Sequence, residues 1–143
     1  MIPRTLLIVA GDFAGLSAER VASAISRGLV RGGWPTDLCP LGRADARPAD
    51  LRELLHELDF DTRMRRARAV VLAERRLKED TLAASATFEI ATRARQAGIP
   101  AYAVTGENAL STFDARVLDL QVILEASQES ELEAAARRLA ELV

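Results

Sequence analysis

The sequence predicts an α/β fold: a three-layer sandwich with a parallel sheet of about five strands between helices. Three observations carry that expectation. Thr5–Ala10 (TLLIVA) and Ala69–Ala73 (AVVLA) are continuous apolar runs rich in branched residues, as in strands buried on both faces. Segments of helical spacing fall between such runs, and alternating strands and helices require parallel strands joined by crossovers. Glycines end the elements, at Gly11, Gly32 with Gly33, Gly98 and Gly106. Strand order 2-1-3-4-5 is favoured over 3-2-1-4-5, and either makes the fold Rossmann-like or flavodoxin-like.

Each element has its own justification. After the strand Thr5–Ala10, Ser17 caps a helix whose apolar face is Val21, Ala22, Ile25 and Leu29. Pro35–Leu41 reads as a short second strand flanked by Pro35 and Pro40. Pro48 suits a first helical turn, and Leu51, Leu54, Leu55 and Leu58 form one stripe. Ala69–Ala73 is the third strand. A helix from about Thr81 to Ala97 turns Leu82, Ala86, Ile90 and Ala94 inward. Pro100–Thr105 is the fourth strand. Leu118–Leu124 is the fifth, half amphipathic and therefore near a sheet edge. Ser127 begins a last helix with Leu132, Ala135, Ala136, Leu139 and Val143 on one side.

Composition narrows the function classes. The 143 residues make one domain, 1–143, with 49% apolar and 28% charged residues and a net charge of −2. Such a balance is expected of a globular protein with no nucleic-acid partner. No apolar run approaches membrane-spanning length and Met1–Gly11 lacks a basic leader, so neither a membrane partner nor secretion is expected. A single cysteine, Cys39, cannot close an internal disulfide and points to a reducing cytoplasm; it reads as a small core residue. One histidine, His56, lies on the polar side of the leucine stripe, and no metal site is expected.

The loops after strands one, three and four should meet at the carboxyl edge of the sheet, where such folds bind ligands. They are Gly11–Ser17, Glu74–Thr81 and Gly106–Ser111. The first feeds a helix amino terminus, whose free amides and dipole attract an anion; its simpler and favoured reading is a turn capped by Ser17. The second offers Glu74, Arg76 and Thr81 for phosphate, a hydroxy acid or magnesium, or is a solvated loop with Asp80 or Thr81 as helix cap. Arg63, Arg65, Arg66 and Arg68 form a basic run offset by Asp59 and Asp61.

These residues also carry a family resemblance. Leu7-Ile8-Val9-Ala10-Gly11-Asp12-Phe13-Ala14-Gly15-Leu16-Ser17-Ala18 resembles the opening strand and Asp-Ser-Phe-Lys-Gly-Ser-Leu-Ser-Ala segment of bacterial glycerate kinases. Ala67–Leu77 parallels their Thr-Gly-Glu-Gly-Arg-Leu-Asp stretch. Asp37–Leu41, Gln96–Pro100, Val104–Gly106, Asn108–Leu110 and Leu118–Leu120 fit as well. The chain looks like that family's first domain with an inserted second domain removed. The resemblance implies glycerate phosphorylation on the 2-hydroxyl with ATP and magnesium, and a site drawn from Asp12, Ser17, Glu74, Arg76, Thr81 and Gly106.

Departures from the pattern weigh against that activity. Ala14 stands for a lysine and Gly42–Ala46 for an Asp-Gly-Gly-Glu-Gly segment. Lys78 replaces an aspartate, Asp80 a glutamine, Ala84-Ser85 a Gly-Lys pair, and Arg75 a glycine. Phosphoryl transfer needs positioned cations and a closed site, and losing one donor commonly costs about a hundredfold. The leading expectation is a glycerate-kinase-like domain without phosphotransfer that acts as a small-anion-binding, regulatory or assembly module, with a small hydroxy acid or phosphate as ligand. The alternative is a compact kinase, using ATP and magnesium, that a homo-oligomer or second-domain partner completes.

Overall fold

A computed structural model describes residues 4–41, 48–78 and 85–143. The five strands form one sheet in the order β2-β1-β3-β4-β5, and every neighbouring pair is parallel. Along the chain the elements are β1 (Leu6–Ala10), α1 (Ala18–Arg31), β2 (Thr36–Pro40), α2 (Pro48–Glu57), α3 (Phe60–Arg66) and β3 (Ala69–Lys78). Then follow α4 (Ala86–Ala97), β4 (Ala101–Ala109), α5 (Thr112–Leu118), β5 (Leu120–Glu125) and α6 (Glu129–Leu139). The three-layer sandwich and the favoured strand order are those expected from the sequence.

The continuous apolar runs have the cause assigned to them. All five residues of β1 are buried. Leu6, Ile8 and Ala10 enter a cluster with Val21, Ile25 and Leu29 of α1 and Leu132, Ala136 and Leu139 of α6. Leu7 and Val9 point the other way, toward Leu51 and Leu55 of α2, Phe60 and Met64 of α3, and Ile90 of α4. A strand at the centre of the sandwich needs apolar side chains on both faces.

The layer of α1 and α6 is held by an unusually close seam. A Cβ built on Gly28 would lie 2.2 Å from the Glu133 carbonyl oxygen, and one on Gly32 would lie 2.2 Å from the Ala140 Cβ. Only hydrogen in place of a side chain lets the helices approach so far. Arg20 and Arg27 pair with Glu129 along the solvent side of the seam, Arg27 and Arg31 pair with Glu133, and the Trp34 indole N–H donates to the Ala140 carbonyl at 3.0 Å.

Several expectations need correction. Glu74–Lys78 and Gly106–Ala109 are not loops; β3 and β4 run on through them, paired in register from Arg76↔Glu107 to Lys78↔Ala109. Helices α3 and α5 are additional elements. α3 hides in the basic run: Phe60 and Met64, four apart, are buried between the charged positions. Leu118 ends α5 and is buried there, so β5 starts at Leu120. The last helix starts at Glu129, after Gln128, whose backbone amide donates to Glu131 at 3.0 Å, as does the Ser127 amide at 3.4 Å. The cap of α4 is Ser85, whose hydroxyl accepts from the Phe88 amide at 3.1 Å. The alternatives Asp80 and Thr81 lie outside the described residues.

Candidate functional site at the carboxyl edge of the sheet

The first loop closes on itself. Phe13 and Leu16 exchange two backbone hydrogen bonds of 3.0 Å, with Gly15 at φ +79°, a conformation that glycine adopts without strain. Phe13 is thereby buried, and Asp12 swings toward the helix. The Ala18 amide donates to Asp12 Oδ1 at 2.8 Å, and the Arg20 amide donates to Ser17 Oγ at 3.3 Å. Both expected site residues of this loop therefore cap α1. The electropositive end of the helix is occupied by the chain's own carboxylate.

A second carboxylate does the same on the other side of the sheet. Glu74 leaves β3 toward α4, where the Thr87 hydroxyl donates to its Oε2 at 2.7 Å and the Thr87 amide adds a further bond. Thr87 is the second residue of α4, so Glu74 sits at that helix's amino terminus. Burial pushes the Glu74 carboxyl above its ordinary value, and the two bonds from Thr87 oppose the rise. The space beside it, lined by Gly11, Leu41, Ala86 and Ile90 among others, is about 10 Å³, room for roughly one water.

An open groove of about 560 Å³ lies on the α1–α6 side, lined by Phe13, Ala14, Arg75, Arg76, Gly106, Glu107 and Ser127. The Arg76 Nε donates to Glu107 Oε2 at 2.6 Å across the β3–β4 ladder. That bond and the Arg76 charge, with Lys78 further off, hold the Glu107 carboxyl below the ordinary range. Arg75, the exposed neighbour, forms no ion pair among the described residues. Gly106 answers to packing: a Cβ there would lie 2.7 Å from the Arg75 carbonyl oxygen.

The structure thus brings Arg76 and Gly106 into one groove, sends Glu74 to the opposite face, and uses Asp12 and Ser17 as caps. Thr81 lies outside the described residues. Sequence reasoning assigned Phe13 and Thr87 no site role, and Arg75 stood there only as a departure from the family pattern. Strand alternation beyond Ala73 would have separated Glu74 from Arg75, and a threonine two residues after a capping serine was a signal for the carboxylate at α4. Among the described residues no helix is long and apolar enough to cross a membrane, and no three His, Cys, Asp or Glu side chains gather as a metal site.

Comparisons with solved structures show the fold. The chain is similar to a de novo designed Rossmann 2x3 protein (TM-score 0.59, 10% identity, 96% of this chain and 90% of that one). It is similar also to a response regulator receiver domain from Rhodospirillum rubrum (0.52, 14%, 96% and 92%). A putative glycerate kinase 2 from Salmonella typhimurium LT2 aligns over 64% of this chain and 25% of its own, with TM-score 0.48 and 12% identity. No curated protein matches the sequence. The profile of the glycerate kinase family matches residues 32–143. That stretch holds Glu74, Arg76, Thr81 and Gly106, leaves Asp12 and Ser17 outside it, and takes in most of the chain: the protein belongs to the glycerate kinase family.

Proposed function

We propose that this chain is a glycerate-kinase-family domain that binds a small anion in the groove beside Arg75 and does not itself transfer a phosphoryl group. The observation that carries the reading is the commitment of the charged groups at the carboxyl edge. Two of the helix amino termini there already hold a carboxylate, Asp12 on α1 and Glu74 on α4. Arg76 is neutralised by Glu107. Arg75 is left to line the groove, with Phe13, Ala14, Arg76, Gly106, Glu107 and Ser127 as its other walls. A guanidinium with no carboxylate partner among the described residues suits the carboxylate of a hydroxy acid or a phosphate oxygen.

The same geometry argues against a magnesium nucleotide site. Magnesium would take oxygen donors from carboxylates, but the Asp12 and Glu74 carboxylates are held by Ala18 and Thr87, on opposite faces of the sheet. A transferring phosphoryl group needs several fixed cations around it, and among the described residues the groove supplies one unpaired guanidinium.

A coupled assay with glycerate, ATP and magnesium, run beside thermal unfolding with glycerate or inorganic phosphate, tests both halves. The expected result is no turnover, together with a rise in Tm on adding either anion that Arg75→Ala removes. Turnover at ordinary kinase rates, about 1–100 per second, overturns the first half. A Tm indifferent to both anions overturns the second.

A further inference from the structure

The two edges of the sheet are finished differently. At β2 the edge is blunted: Pro35 and Pro40 bracket the strand, and Arg63 donates to the Leu38 carbonyl at 2.8 Å while gripping Asp37 through two bonds of 2.7 and 3.0 Å. At β5 there is neither proline nor lysine, and none of its six residues is fully buried. Beside β5, helix α5 turns Leu118 inward and Phe113 and Val117 outward, one turn apart and 73% and 42% exposed. A shallow hollow of about 310 Å³ adjoins them, lined by Thr112, Ala115, Arg116, Asp119, Leu120 and Gln121.

From this juxtaposition we infer that the α5–β5 face joins two copies of the chain about a two-fold axis, the Phe113 ring of each copy entering the hollow of the other. A two-fold contact requires that one surface carry both halves of its own complement. This face carries a protruding ring next to a hollow, and an unpaired cation next to an unpaired anion. Neither Arg116 nor Asp119 forms an ion pair among the described residues. An axis passing between the two residues sets Arg116 of each copy against Asp119 of the other, so that both charges are met, whereas a partner of a single sign would meet one and repel the other. The contact lies along the side of the sheet, away from the groove at Arg75, and stands independently of the anion reading.

Sedimentation equilibrium of the full chain across micromolar concentrations tests the inference with three variants. The wild-type chain is expected to dissociate reversibly from dimer to monomer. Phe113→Asp and Arg116→Glu, both at exposed positions, should each weaken the dimer by at least about tenfold, the scale of a lost aromatic or arginine anchor. Val30→Asp replaces a comparably exposed residue on α1 and should leave association unchanged; circular dichroism melts establish that all three variants fold. A chain that stays monomeric throughout, a dimer that survives both α5 variants, or an equal loss with Val30→Asp overturns it.

Discussion

Replacing Gly28 by alanine sets two effects of opposite sign against each other at one position. In the interior of an exposed helix, glycine to alanine stabilises by about 1 kcal/mol, because alanine restricts the unfolded chain. Here the added Cβ would sit 2.2 Å from the Glu133 carbonyl oxygen, 2.7 Å from the Ala136 Cβ and 2.8 Å from the Arg137 amide nitrogen. Two of those atoms are backbone and cannot rotate away, so α6 must retreat from α1. Overpacking of this kind costs about 1–3 kcal/mol, and contact with three atoms places it at the upper end. The net expectation is a loss of about 2 kcal/mol, or a Tm lower by roughly 4–8 °C for a chain of this size. Denaturant unfolding followed by circular dichroism at neutral pH measures it. A Gly28→Ala protein as stable as the parent would refute the close seam between α1 and α6.

Three further outcomes follow from the carboxyl edge and the β2 clamp. Gly106→Ala should lower stability by about 1–3 kcal/mol, since its Cβ would press on the Arg75 carbonyl; unchanged stability in a denaturant titration would show that packing does not require this glycine. Glu74 has its carboxyl raised by burial, so the native state binds its proton more tightly than the unfolded chain does. Its contribution is therefore most favourable at acid pH and declines as pH rises from the ordinary value of 4.5 through the raised one, and the stability of wild type relative to Glu74→Gln should fall over that window. A difference that grows with pH would show Glu74 to be stabilised as a carboxylate. Arg63→Ala removes the paired bonds to Asp37 and the bond to Leu38, and should cost about 1–3 kcal/mol, while Arg65→Ala stays within about 0.5 kcal/mol in the same unfolding experiment.

The candidate site was legible in part. Glycine at 106 and serine at 17 suggested ligand contact, yet each serves the fold locally. Gly106 lets β4 pass the Arg75 carbonyl, and Ser17 caps α1. Asp12 entered the candidate site through the family resemblance, and its carboxylate acts on the helix that follows it. The role of Glu74 depends on Thr87, thirteen residues away and brought to it by packing of α4 on β3. Arg75 read as a departure from a family motif; its exposure to the groove follows from the extension of β3 beyond Ala73.

By itself the sequence determined the layering and narrowed the strand order to two candidates, because burial on two faces demands unbroken apolar runs and crossovers leave few topologies; the structure selects β2-β1-β3-β4-β5. The sequence also determined where α1 and α4 stop, through Gly32 and Gly98, because such signals are local. Tertiary structure alone decided how far β3 and β4 continue, since Leu77 is buried with Leu72 on the same face despite an odd spacing that simple alternation forbids. It decided that α3 forms despite its three arginines, because Phe60 and Met64 gain burial only once β3 and α2 are in place. It decided, too, which charges at the carboxyl edge stay free, since a charge is taken up by whichever partner the fold carries to it, and sequence distance sets no limit on that.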